Sequence, residues 1–227
     1  PCKVIAKDPS LAYTYTMKAN TVAVVSDGSA VLGLGNIGPY AAMPVMEGKC
    51  VLFKEFGNVN AVPICLDPQD TEEIIATVKN IAPAFGGINL EDISAPRCFE
   101  IEERLKEMLN IPVFHDDQHG TAIVVLTGII NGLRVTGKKK EDCRVVVNGG
   151  GSAGVAITKL LLTYGFRHVT MCDREGIIGK DYPNLNWMQK KMTEVTNLEN
   201  AKGTLADALK GADIFVGVSA PNIVTPE

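Results

Sequence analysis

The glycine-rich segment 149–154 constrains the fold of this chain more than any other feature of its sequence. Its letters, GGGSAG, fit the pattern G-x-G-x-x-G, and it lies between the β-branched run 145–147 and an apolar stretch that ends at Tyr164. This order predicts a strand, a tight turn and a helix, as in the first βαβ unit of a doubly wound sheet. In such a unit Gly149 allows the turn, Gly151 lets a pyrophosphate approach the backbone, and Gly154 lets the helix pack on the strand. The helix N-terminus then offers N–H groups to phosphate oxygens.

An acidic residue follows the next predicted strand, as a dinucleotide-binding unit requires. Asp173 directly follows the predicted strand 168–172. Its distance along the chain from the glycine-rich turn is close to the roughly 20 residues at which an acid binds the ribose hydroxyl of NAD. The adjacent Arg174 suits the 2′-phosphate of NADP, so both cofactors stay open, with NAD favoured. A purely structural glycine turn is the alternative. The predicted cofactor-binding residues here are Gly149, Gly150, Gly151, Ser152, Ala153, Gly154, Asp173 and Arg174.

Predicted strands and helices alternate along the chain, which indicates an α/β fold with parallel sheets covered on both faces. The predicted strands are 21–25, 51–56, 61–66, 88–90, 112–114, 144–148, 168–172 and 213–218, and the predicted helices are 71–81, 96–109, 120–133, 153–164 and 205–210. A lysine cluster after Gly137 marks a domain boundary. We therefore expect an N-terminal α/β catalytic domain over 1–135, followed by a doubly wound, Rossmann-like dinucleotide-binding domain over 136–227 that is incomplete at its C-terminus.

Two pairs of acidic residues each follow a short apolar strand of the first domain. They are Glu91-Asp92 and Asp116-Asp117. If the two strands are parallel neighbours, both pairs leave the sheet at its carboxyl edge, where α/β proteins place their ligands. Three carboxylates there suit Mg²⁺ or Mn²⁺, although helix caps and solvated turns are the ordinary alternative. His115 and His119 have the i, i+4 spacing at which two histidines on a helix can share a zinc ion, but the intervening Asp-Asp and the strand-to-helix break predicted between them disfavour a zinc site.

A second segment with the same glycine spacing, 33–38, is interpreted differently. Pro39 follows it, and no acid closes a second strand at the right distance. Since proline is tolerated only in the first turn of a helix, we expect a tight turn that supports the first domain.

Composition excludes several classes of function. The net charge of −4 and the pI near 5.5 disfavour nucleic acid as a partner, because such binding needs a basic surface. Apolar runs are too short to predict a membrane span. The six cysteines are scattered without C-x-x-C spacing, which is typical of reduced thiols in a cytoplasmic protein.

Several segments together resemble the malic enzymes, specifically the short bacterial and archaeal type. The matching segments are Pro1-Cys2, 5–9 (IAKDP), 24–28 (VVSDG), 31–38 (VLGLGNIG), 44–49 (PVMEGK), 88–93 (INLEDI), 114–121 (FHDDQHGT) and 211–219 (GADIFVGVS). They cover nearly the whole chain in the order and spacing of the family.

The resemblance implies oxidative decarboxylation of malate to pyruvate and CO₂, with reduction of NAD or NADP and a divalent metal. It implies that Glu91, Asp92 and Asp117 are the metal ligands, that Lys49 is the general base and that Asp116 is its ion-pair partner. Ser219 would lie near the nicotinamide. A homodimer is implied as well.

The chain also departs from the family pattern. The tyrosine that serves as general acid in the family lies before the position of Pro1, and Tyr13, Tyr15 and Tyr40 do not match its motif. Asparagine segments of the family would follow Glu227. A chain truncated at both ends is therefore expected, and a catalytically impaired fragment that still binds nucleotide and metal is the second hypothesis. An oxidoreductase of another small substrate on the same fold is the third.

Overall fold

The computed structural model describes residues 1–67 and 69–224, so 225–227 of the predicted second domain lie outside the described part. The chain divides into two compact units, Pro1–Asp116 and Asp117–Glu227. This division falls before the predicted domain boundary at 135/136, which stays a prediction.

The first unit is built on a four-stranded sheet. Its helices are α1 (Cys2–Lys7), α2 (Ala12–Tyr15), α3 (Gly38–Gly57), α4 (Thr71–Ile81) and α5 (Arg97–Met108), with 3₁₀ turns at Pro9–Leu11, Met17–Asn20 and Ala82–Ala84; its strands are β1 (Thr21–Ser26), β2 (Asn60–Cys65), β3 (Gly87–Leu90) and β4 (Val113–His115). The strand order is β2-β1-β3-β4, and each neighbouring pair is parallel. The prediction of a parallel sheet is confirmed here.

The central strand and the capped helix form where local sequence predicts them. Residues Ala23, Val24 and Val25 of β1 are fully buried, because a central parallel strand is covered on both faces. The Asp70 side chain accepts hydrogen bonds from the backbone N–H groups of Glu72 and Glu73, which fixes the start of α4.

The predicted strand 51–56 is wrong, because these residues lie inside α3. Pro39 occupies the first turn of this helix, where its missing N–H costs nothing, and Asn58 ends it with a left-handed φ of 50°. The glycine segment before α3 does form a turn, since Val31 and Gly35 exchange backbone hydrogen bonds of 2.9 and 2.8 Å.

The second unit is built on another four-stranded sheet. Its elements are α6 (Asp116–Thr136), β5 (Arg144–Asn148), α7 (Ser152–Tyr164), β6 (His168–Asp173), β7 (Gly176–Ile177), α8 (Trp187–Met192), α9 (Leu205–Leu209) and β8 (Ile214–Gly217). The order is β7-β6-β5-β8, with β5 parallel to β6 and β8. The short edge strand β7 is antiparallel to β6, which the sequence pattern did not predict.

Helix α6 packs on the core of the second unit. Ala122 is buried in the same apolar cluster as Val145 and Val147 of β5, and Val125 and Leu126 pack against that cluster. Within residues 1–67 and 69–224, every helix is too short or too polar to cross a membrane.

Candidate functional site

The predicted acidic pairs leave the first sheet at one edge. Strands β3 and β4 are parallel neighbours, with Leu90 opposite His115 in the register. Glu91 and Asp92 directly follow the first of these strands, and Asp116 directly follows the second. Parallel pairing therefore sets the acids of two distant segments side by side at the carboxyl edge.

Three carboxylates of these pairs lie close together. Glu91, Asp92 and Asp117 each offer an oxygen within 4.8 Å of the others. Glu91 and Asp92 are buried and Asp117 is half-buried. Asp117 directly follows Asp116 in the sequence. Several buried carboxylates repel one another unless positive charge offsets them, so this donor set fits a hard divalent cation that takes oxygen ligands.

Helix α3 brings Lys49 to the same edge of the first sheet. Its Nζ lies 2.5 Å from Asp116 Oδ2 and 3.1 Å from Glu91 Oε1. The other Glu91 oxygen, Oε2, accepts a hydrogen bond of 2.8 Å from Asn89 Nδ2. The ammonium group thus joins the helix to the ends of two strands.

The charges around Lys49 determine the direction of its pKa shift. Burial lowers this pKa, but the hydrogen bonds and negative charges of Asp116 and Glu91 outweigh burial and raise it above the usual value. A general base must be the neutral amine. Partial burial is therefore not sufficient to lower the pKa, and the two carboxylates hold Lys49 as an ammonium ion.

A buried ion pair that sequence reasoning missed lies in the loop after β1. Asp27 is fully buried, and its Oδ2 is paired with Nη2 of Arg97 from α5. Its Oδ1 accepts hydrogen bonds from the N–H (3.0 Å) and the hydroxyl (2.6 Å) of Ser29. Sequence reasoning missed this pair because no local pattern shows that an arginine from a later helix will reach Asp27.

The loop that contains this ion pair also supports Asp92. The backbone N–H of Ala30 donates to the carbonyl oxygen of Asp92 (2.9 Å), and the N–H of Ser94 donates to Ser29 Oγ (2.9 Å). Asp92 has a left-handed φ of 54°, a conformation that a non-glycine residue adopts only with support from its surroundings.

We expect Arg97→Ala to lower the free energy of unfolding by about 3 kcal/mol, because it leaves the Asp27 carboxylate buried without its cation. The measurement is urea-induced unfolding followed by circular dichroism. The matched control is Arg104→Ala on the same helix, whose partners Glu72 and Glu100 keep 69% and 45% of their side-chain surface accessible to solvent, so its loss should be clearly smaller. Equal losses in the two variants would contradict the buried-pair interpretation.

The predicted dinucleotide turn joins β5 to α7 in the second unit. Gly149 has a φ of 131°, which L side chains rarely adopt, and a Cβ on Gly154 would lie 1.7 Å from the Gly149 carbonyl oxygen. A Cβ on Gly151 would meet nothing within 4 Å, so the backbone there borders open space. The three glycines therefore have the geometry that a pyrophosphate-binding turn needs.

A cavity of about 1130 Å³ opens at the carboxyl ends of β5, β6 and β8. Of the predicted cofactor residues, it is lined by Gly149, Gly150, Gly151, Asp173, Arg174 and Ser219. Ser152, Ala153 and Gly154 begin α7 and do not line it. The hydroxyl oxygen of Ser219 accepts a hydrogen bond of 2.9 Å from Asn148 Nδ2.

The Asp173 carboxylate has a hydrogen bond on each oxygen. Oδ1 accepts from the Arg174 backbone N–H (2.9 Å), and Oδ2 accepts from Gln189 Nε2 (3.1 Å). Gln189, Asn148 and Tyr182 also line the cavity, and sequence reasoning had singled out none of them. The asparagine that caps α8, followed by glutamine three residues later, is a local signal that could have located the helix but not its contact with Asp173.

The fold and the cavity define an α/β protein with a Rossmann-like second unit. The family model described as malic enzyme, N-terminal domain matches residues 6–106, and that described as malic enzyme, NAD binding domain matches residues 118–225. The chain belongs to the malic enzyme family.

Relatives cover the whole chain at high identity. It is 63% identical to an NAD-dependent malic enzyme of Geobacillus stearothermophilus, over all of this chain and 47% of that protein. It is 55% identical to a bifunctional malic/malolactic enzyme of Bacillus subtilis, over all of this chain and 56% of that protein. A crystal structure of an NAD-dependent malic enzyme from Thermotoga maritima matches with a TM-score of 0.96 and 55% identity, over 99% of this chain and 60% of that one. The chain thus spans about half the length of the curated relatives it matches.

Proposed function

We propose that this chain is part of an enzyme that oxidises malate and decarboxylates it to pyruvate and CO₂, with reduction of NAD or NADP. The observation that carries this proposal is the cluster at the edge of the first sheet: Lys49 Nζ lies within hydrogen-bond distance of Asp116 and Glu91, and Glu91 belongs to the three-carboxylate group. A proton acceptor beside a cation site is what oxidation of a 2-hydroxy acid requires.

Glu91, Asp92 and Asp117 would hold the divalent cation, Mg²⁺ or Mn²⁺. Their oxygens are close enough to share one ion, and carboxylates are the ligands such ions prefer. When bound, the ion supplies Lewis-acid chemistry at the hydroxyl and carboxylate oxygens of the substrate.

Lys49 would accept the proton of the substrate C2 hydroxyl at Nζ. Asp116 then stabilises the resulting ammonium ion and fixes its direction. Positive charge at the Glu91 carboxylate would oppose the effect that now raises the Lys49 pKa, since a nearby like charge disfavours the protonated amine.

The second unit would bind the cofactor. The turn from Gly149 to Gly151 and the first residues of α7, Ser152 to Gly154, offer backbone N–H groups to the pyrophosphate. Asp173 would bind the ribose, Arg174 would receive a 2′-phosphate, and Ser219 would lie near the nicotinamide; all three line the cavity. We favour NAD, because Asp173 lines the cavity and would repel a 2′-phosphate.

We also propose that the protein is a cytoplasmic homodimer with a small-molecule substrate and no nucleic-acid partner. The dimer rests on the family resemblance. The cytoplasmic location is supported by the six cysteines, all of which are free thiols in the structure.

The test compares this chain with one extended at both ends to the length of its relatives. Malate, Mn²⁺ and NAD or NADP are supplied, turnover is read at the absorbance band of reduced nicotinamide, and cofactor binding is measured by calorimetry. We expect the extended chain to turn over only with metal. If this chain binds cofactor without turnover while the extended one is active, it is the impaired fragment. Turnover that persists in chelator would indicate a different, metal-independent oxidoreductase.

A further inference from the structure

Gln189 connects three separate parts of the cofactor cavity. It belongs to α8, is buried, and lines the cavity with the glycine turn and the end of β6. Its Nε2 donates to the Gly150 carbonyl oxygen (3.2 Å) and to Asp173 Oδ2 (3.1 Å). Its Oε1 accepts from the backbone N–H of Asn186 (3.1 Å), which closes the capping box of α8.

Every hydrogen-bonding group of the Gln189 side chain is therefore used. A primary amide has two N–H donors, and they serve two different acceptors, one on the turn and one on the acid. The space around them is tight as well, because a Cβ on Gly150 would lie 2.6 Å from both Asp173 Oδ2 and Gln189 Nε2. The amide cannot be exchanged for a larger or differently bonded group without moving the acid or the turn.

The Asp173 carboxylate is held by two donors but keeps accepting capacity. The Arg174 N–H occupies one site on Oδ1 and Gln189 one site on Oδ2. A carboxylate has about four lone-pair sites, so each oxygen can still accept one hydrogen bond. One of those remaining sites suits the 2′-hydroxyl group of a ribose, and the orientation of the carboxylate is set before the ligand arrives.

We propose that Gln189 is a positioning residue for cofactor recognition: it locks the Asp173 carboxylate against the Gly150 carbonyl, and thereby sets the selectivity of the cavity for a ribose with a free 2′-hydroxyl. This inference rests on the proposed nucleotide-binding function. Gln189 acts through Asp173, so its contribution exists only when the ligand carries that hydroxyl.

The test measures the Kd of NAD and of NAD lacking the adenosine 2′-hydroxyl by calorimetry, in the extended chain and its variants. Gln189→Met removes both donors at similar volume, and we expect it to weaken NAD binding about tenfold, as loss of a hydrogen bond to a charged group does. Binding of the 2′-deoxy cofactor should change by less than about twofold. Gln189→Glu keeps an oxygen for the Asn186 N–H, so α8 stays capped, but it replaces both donors with a carboxylate that repels Asp173. Its loss of NAD binding should therefore be at least as large. The control is Lys190→Gln, the exposed neighbour on α8.

The outcomes separate the inference from the function on which it rests. If the unsubstituted chain binds no NAD, the nucleotide-binding function itself fails. If it binds NAD and both Gln189 variants bind it as tightly, or lose NAD and the 2′-deoxy cofactor equally, Gln189 does not act through Asp173 and the inference is overturned. A loss confined to NAD, and not enlarged when Asp173→Asn is added, supports it, because residues that act as a unit are not additive.

Discussion

Lys49→Ala is expected to lower malate turnover in the extended chain by about 10³-fold, because the variant lacks the amine that would take the hydroxyl proton. The Kd of NAD should change by less than about twofold, since the residues that would bind the cofactor lie in the second unit. Steady-state kinetics and calorimetry measure the two quantities.

A charge-preserving variant distinguishes proton transfer from structure at this position. Lys49→Arg can keep the ion pairs with Asp116 and Glu91, but a guanidinium does not lose its proton at accessible pH. It should therefore be stable and inactive. The control is Lys54→Ala, five residues further along α3, where the ammonium group donates hydrogen bonds to the neutral side chains of Asn58 and Asn60. A near-normal rate in either Lys49 variant would exclude Lys49 as the base.

Asp117→Asn should weaken Mn²⁺ binding by at least about 100-fold, because a neutral amide replaces one of three charged oxygen ligands. The side chain keeps its size, so the start of α6 should be retained. Titration of Mn²⁺ by electron paramagnetic resonance in the absence of malate measures the effect without turnover. Glu107→Gln, an exposed acid on α5, serves as the control. An unchanged Mn²⁺ affinity would remove Asp117 from the ligand set.

Elements with strong local signals were predicted well from sequence. Helix α4 begins and ends as predicted, because Asp70 caps it, and β5 has its predicted bounds because a β-branched run meets a glycine turn. The predicted strand 51–56 failed since a short apolar run fits a buried strand and a helix equally well. In the structure, residues 51–56 continue α3, which begins at Gly38 and has Pro39 in its first turn.

For the candidate site, the sequence alone determined which residue types are present and which strand ends carry them: the acids after β3 and β4, the glycines after β5 and Asp173 after β6. Which of these residues contact one another depends on the tertiary structure. The parallel register of β3 with β4 sets Glu91 beside Asp116, and α3 brings Lys49 to both. Arg97 reaches Asp27, and Gln189 reaches Asp173, across loops that no local pattern describes. Local periodicity indicates the secondary structure near a residue. Contacts between distant residues follow from how whole helices and strands pack, and this packing depends on the apolar surface that all of them bury together.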